Sequence, residues 1–196
     1  LVREDPAPAA LAALLRVHDP DYLRFLETAW DEWQAAGGGE EVIANAHPAR
    51  AHASYPTHVV GRAGWHMGDT ACPLGRHTHT AARAAAGAAL AAARHVASGG
   101  GPAYALSRPP GHHAYRDMAA GFCFLNNTAI AAADLAATGR RVAVLDIDVH
   151  HGNGTQGIFY ARGDVLTVSV HGDPHAYYPF MQGHAHERGE GPGAGA

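Results

Sequence analysis

At 196 residues and 20.4 kDa, with 47% hydrophobic and 16% charged residues, the chain is long enough for one α/β domain with a full core and too short for two large ones. Its formal charge of -4, from 14 basic residues (all of them arginine) against 18 acidic ones, supplies no footprint for nucleic acid. No apolar run reaches membrane-spanning length, LVREDPAP lacks a signal-peptide core, and Cys72 and Cys123 form neither a metal-type pair nor a disulfide framework, so a cytoplasmic protein is expected.

The first element in chain order is a helix within HDPDYLRFLETAWDEWQAAGGG: Asp19 or Asp21 caps it, Pro20 occupies the first turn and Gly37 ends it. Leu23, Leu26, Trp30 and Trp33 recur at helical spacing and read as packing residues. Residues 40–77, rich in His, Pro and Gly, show no period and read as a long irregular segment. THTAARAAAGAALAAARHVAS (78–98) is a helix so poor in large side chains that it must pack closely on a neighbour. PAYALS (102–107) reads as a short strand, FCFLNNTAIAAADLAATG (122–139) as a helix, and RVAVLDI (141–147) as a buried parallel strand. NGTQGIFYA (153–161) reads as a short helix capped by Asn153 or Thr155, and DVLTVSV (164–170) as another buried strand. The order β-α-β-α-β predicts right-handed crossovers and a parallel sheet covered by helices.

The polar clusters fall at the ends of those strands. SRPPGHH follows the first, DIDVHHGNG ends the second and SVHGDP ends the third, all on the edge where open parallel sheets hold ligands. Asp148 and His150 are two apart, so at an extended strand end a carboxylate and an imidazole point the same way and make half a site for a borderline cation such as Zn2+. Asp146 shares their parity, as a third ligand or as a hydrogen-bond acceptor behind the ligands. The plainer alternative makes Asp148 a helix cap and His150 a loop histidine, and three clusters on one edge weigh against it. His112 and His113 sit in a loop stiffened by Pro109, Pro110 and Gly111, where tandem imidazoles beside a metal-bound water suit general acid–base chemistry. No competing nucleophile is present: there is no G-x-S-x-G elbow, Cys123 reads as a small buried thiol, and GGG (99–101) lacks the lysine of a phosphate loop.

The stretches RPPGHHA, GFCFLNN, VLDIDVHHGNGTQ and SVHGDP…YP resemble the zinc-dependent histone deacetylase and acetylpolyamine amidohydrolase family, with HDPDYLRFLETAW and HGDPHAYYPF nearest its acetylpolyamine branch. The resemblance covers essentially the whole chain as a single domain fragment. It implies an arginase/deacetylase-like three-layer α/β/α fold with a parallel sheet. It implies Asp148 and His150 as two of three zinc ligands and His112 and His113 as the catalytic pair. Asp146 then orients His112, and Asn153, where many histone deacetylases carry Asp, orients His113. Gly121, Phe122 and Tyr178 line the acyl channel, and Asp146, Asp148, His150, Ser169 and Val170 form a potassium site.

The implied reaction is hydrolysis of an acetylamide, on an acetylpolyamine, another small acetylamide or acetyl-lysine, with His113 moving the proton and His112 stabilising charge. The third zinc ligand and an oxyanion-donating Tyr are expected downstream of Ala196 and a first strand before Leu1, so the 196-residue chain alone is expected to be nearly inactive. The branch also uses acidic loop residues to draw a cationic substrate and to form a homodimer; Asp69 is one such acid, with no clear second. Two alternatives stand beside this reading: an arginase-like ureohydrolase with two Mn2+ ions, which lacks carboxylates where His151 and Gly152 stand, and a non-catalytic binding module.

Overall fold

The computed structural model describes residues 3–195. Along it run α1 (Leu11–Leu14), α2 (Pro20–Ala35), α3 (Val59–His66), α4 (Thr78–Ala97), α5 (Asn127–Ala136), β1 (Val142–Asp146), α6 (Asn153–Phe159), β2 (Val165–Ser169) and a 3-10 turn, Gly191–Gly193. β1 and β2 pair in parallel, Val142 opposite Val165 and Asp146 opposite Ser169, with α6 in the crossover. This β-α-β unit belongs to the expected α/β architecture. Helix α5 packs on both strands and α6 on β2, which buries Val144 and Val165. On the other face Leu145, Leu166 and Val168 are exposed among the described residues.

Helix α2 starts where predicted. The Asp19 carboxylate accepts the Asp21 N–H at 2.9 Å, Pro20 needs no donor partner at the first turn, and Gly37 takes φ +80° just past the end. Its inner face buries Tyr22, Phe25 and Leu26 completely, roughly 1.5–3 kcal/mol for each such side chain. Trp30 and Trp33 pack on the core while partly exposed. Helix α4 packs on α5 and buries Ala82, Ala85, Ala86 and Leu90. Its Gly87 lies where a Cβ would strike the Ala7 carbonyl, so the N-terminal segment can run against the helix. There Arg83 Nη2 donates to Ala9 O at 2.8 Å.

Four expectations need correction. PAYALS (102–107) is not a strand: Tyr104 and Leu106 are exposed, and no ladder among the described residues takes up its backbone. The helix expected from 122 begins at Asn127, because Gly121 and Phe122 hold φ of +51° and +67°, outside the helical region. Residues 40–77 are not wholly irregular, since α3 lies within them. Helix α6 is capped by neither Asn153 nor Thr155: its N-cap is Gly152, with no side-chain cap, and both side chains are committed elsewhere.

Buried polar groups tie α2 to the loop that carries the site. His18, fully buried, accepts the Asn126 N–H at Nε2 (3.0 Å) and donates from Nδ1 to Arg116 O (3.2 Å). Tyr22 donates to Phe124 O at 2.6 Å. Asn126 caps α5 by accepting the Ala129 N–H, and its amide donates to Ala114 O and Thr155 Oγ1, each at 3.1 Å. The segment between His112 and Asn127 is thereby anchored from three sides. No helix among the described residues is long and apolar enough to cross a membrane.

Candidate active site

The two imidazoles of the HH pair leave the loop side by side, with ring centroids 3.9 Å apart. Asn127 Nδ2 donates to Pro109 O and Thr155 N–H to His112 O, so the PPGHH segment is held by α5 at one end and α6 at the other. His112 Nδ1–H donates to Asp146 Oδ2 at 2.9 Å, at the end of β1. His113 Nδ1–H donates to Asn153 Oδ1 at 2.7 Å, in the first turn of α6. Each ring therefore has its Nδ1 engaged from behind and its Nε2 free to face the site.

The two partners differ in charge, and the rings differ with them. His113 is 4% exposed; burial first, then the neighbouring His112 charge, lower its pKa to about 4, against the upward pull of the Asn153 hydrogen bond. It is a neutral base at physiological pH. Burial pushes the Asp146 carboxyl up, but hydrogen bonds from His112 and the Asp148 N–H, with the His112 and His151 charges, hold it below the usual range. Asp146 is thus an ionised acceptor behind His112, the second of the two roles its parity allowed.

Asp148 and His150 do share one side. Asp148 Oδ1 accepts the His150 N–H at 2.8 Å and lies 3.3 Å from His150 Nδ1. Both side chains are at least 41% exposed, and the His150 ring is 6.2 Å from that of His113. An anionic oxygen and an imidazole nitrogen at this separation are two adjacent donors of the kind a borderline cation takes. Among the described residues no third His, Cys, Asp or Glu joins them. A cavity of about 560 Å³ beside them is lined by His112, Asp146, Asp148 and Ser107, among others.

Outside that cavity, the Tyr178 ring stands perpendicular to His113 at 4.7 Å and lies 6.0 Å from His150. Gly121 turns just beneath it: a Cβ there would be 2.9 Å from Tyr178 Oη and against the His113 ring, so only glycine fits. Phe122 is 66% exposed next to Gly121, while the Tyr178 ring packs on His113. The residues expected to hold potassium gather where the strands end. Val170 N–H donates to Asp146 O at 2.9 Å, Ser169 sits opposite Asp146, and the Ser169 hydroxyl lies 2.8 Å from His171 Nδ1.

Sequence reasoning left several contributors unassigned. Asn126 and His18 support the loop from 108 residues apart, and His151 is buried with neither ring nitrogen hydrogen-bonded, against His171 at 4.5 Å. Asp69, read as an acid for a cationic substrate, accepts the Ala71 N–H, the Gly121 N–H and the Tyr178 O–H. Cys72 and Cys123 are buried free thiols, and burial above all pushes each up to about 12, so neither competes as a nucleophile.

Comparison with known proteins agrees with this geometry. The family model of the histone deacetylase domain matches residues 2–196. An acetylpolyamine amidohydrolase of Burkholderia pseudomallei is 52% identical over 99% of this chain and 57% of its own length, and one of Mycoplana ramosa 46% identical over 97% and 56%. The chain thus spans a little over half the length of these relatives. Among solved structures, the acetylpolyamine aminohydrolase from Burkholderia pseudomallei superposes with a TM-score of 0.91 at 51% identity, covering 97% of this chain and 56% of that one. A histone deacetylase homologue from Aquifex aeolicus gives 0.73 at 29%, covering 97% and 45%. Paired imidazoles backed by Asp146 and Asn153, facing Asp148 and His150 on an α/β sheet edge, and a match across residues 2–196 lead to one conclusion: the chain belongs to the histone deacetylase domain family.

Proposed function

We propose that the protein carrying this chain is a zinc-dependent amidohydrolase that releases acetate from acetylated amines, with acetylated polyamines as the favoured class. The observation that carries this reading is the pair of imidazoles with ring centroids 3.9 Å apart, tilted 44° to each other, with Nδ1 of each fixed from behind, facing the Asp148 and His150 donors. The relatives that bear the name acetylpolyamine amidohydrolase support the substrate class.

Asp148 and His150 would hold the zinc, which when bound polarises the amide carbonyl and acidifies water. The remaining chemistry belongs to the side chains. With its Nδ1–H given to Asn153, His113 presents the lone pair of Nε2, and its lowered pKa keeps that nitrogen unprotonated. His113 Nε2 takes a proton from the attacking water and returns it to the departing amine nitrogen, so amide plus water yields acetate plus free amine. His112, hydrogen-bonded to the Asp146 carboxylate, stabilises the negative charge that develops beside it. Tyr178 and Gly121 border the approach and exclude water from one side. A third protein ligand and a hydroxyl donor to the oxyanion complete this scheme; loss of such a donor costs about 10²–10³ in rate.

The reading extends to a potassium ion at Asp146, Asp148, His150, Ser169 and Val170, supported by the convergence of both strand ends there. The test is acetate release from N-acetylputrescine-type amines and from an acetyl-lysine peptide, before and after chelation and zinc return. Turnover restored by zinc supports the proposal, and zinc-loaded protein that releases no acetate from either class contradicts it.

A further inference from the structure

We infer that Asp69 is a positioning residue of the substrate channel, fixing Tyr178 and the Gly121 turn against the catalytic histidines. Asp69 lies in the loop after α3, 52 residues from Gly121 and 109 from Tyr178, yet its carboxylate joins the two. Oδ1 accepts the Ala71 N–H at 2.9 Å, which sets the local turn. Both oxygens face the Gly121 N–H, at 3.0 and 3.3 Å, and Oδ2 accepts the Tyr178 O–H at 2.7 Å. A hydroxyl held by an ionised acceptor at this length is a strong, directional tether. The tethered ring is the one that stands perpendicular to His113, and Gly121 passes so close beneath that no side chain fits between them.

A residue that only capped its own turn would stop at Ala71. Three donors from three separate segments, at Ala71, Gly121 and Tyr178, engage this carboxylate, which is the pattern of a group that ties segments together. Burial and the Asp69 charge also raise the Tyr178 phenol above its ordinary range, so the hydroxyl stays a donor. The inference deepens the amidohydrolase reading and rests on it for its kinetic arm alone.

The test compares wild type, Asp69→Asn, Tyr178→Phe and the double variant in the zinc-loaded full-length protein that carries this chain. Tyrosines labelled with 3-fluorotyrosine report the contact by 19F NMR, the Tyr178 signal being the one that Tyr178→Phe removes. Asp69→Asn is expected to shift or broaden that signal. For an acetylamine whose aliphatic chain runs through the channel, each single variant raises KM roughly tenfold, the cost of losing a hydrogen bond to a charged group, and the double variant raises it no further. kcat stays within about twofold, as positioning away from the reacting atoms requires. An unmoved Tyr178 signal, or KM effects that multiply in the double variant, overturns the inference. If wild type shows no turnover, the amidohydrolase reading fails and the 19F result alone decides this one. If Asp69→Asn does not fold, Tyr178→Phe decides: raised KM with unchanged melting supports the tether, and unchanged KM overturns it.

Discussion

Replacing Asn153 with Asp puts a carboxylate where a neutral carbonyl now holds His113. The present partner accepts the Nδ1–H at 2.7 Å and adds no charge, and burial followed by the His112 charge leaves the ring at about 4. A carboxylate in hydrogen-bond contact raises a histidine by about 1–3 units, which would bring His113 to roughly 5–7. The sign follows from the role. A general base works deprotonated, so activity falls as pH drops through its pKa, and raising that pKa moves the acid limb upward. In the Asn153→Asp protein the acid limb of kcat/KM should therefore shift about 1–3 units toward neutral pH, with the rate above pH 8 changed much less. A pH–rate profile from 4.5 to 9 on one acetylated amine measures this, and NMR titration of the His113 ring gives the same shift without turnover. An acid limb that stays in place, or moves to lower pH, would refute the pairing of Asn153 with the proton-moving histidine.

Other consequences are less dependent on the chemistry. His18 is fully buried, and burial above all lowers it from 6.5 to about 4, so the folded state resists its protonation. Stability from this group is intact above pH 6.5 and is lost as pH falls toward 4, by about 3 kcal/mol at ~1.4 kcal/mol per unit. Denaturant melts at pH 7 and 4.5 should show a smaller acid loss for His18→Gln than for wild type, and equal losses would exclude this origin. Asp146→Asn removes the ionised acceptor from His112 and should lower kcat roughly 100-fold while the protein still folds; a change below threefold would deny His112 its charged partner. Gly121→Ala puts a Cβ against His113 and Tyr178 at φ +51° and should cost about 1–3 kcal/mol in thermal or denaturant melts, where no loss would contradict the close approach.

What the sequence showed well was whatever chemistry is local. Asp146, Asp148, His150 and Asn153 lie within eight consecutive positions at a strand end and the following helix start, and period two alone places Asp148 with His150. The paired imidazoles announce themselves by adjacency. Contacts across the chain were illegible: Asp69 to Tyr178, and His18 to Asn126, span more than 100 residues, and neither residue type signals a distant partner. Local propensity also misled. PAYALS has the composition of a strand but no ladder to join among the described residues, and Asn153 has the composition of a cap but gives its oxygen to His113. In that competition the buried histidine prevailed, because an unpaired ring nitrogen in a desolvated site is costly, whereas the Asn153 and Thr155 N–H groups at the start of α6 find backbone acceptors at His151 O and His112 O.

The most direct measurement is an anomalous difference map at the zinc absorption edge from crystals of the zinc-loaded protein. The account predicts one dominant peak about 2 Å from Asp148 Oδ and His150 Nδ1, on the side that faces the His112 and His113 rings. A dominant peak on other side chains, with Asp148 and His150 left unliganded, would contradict it.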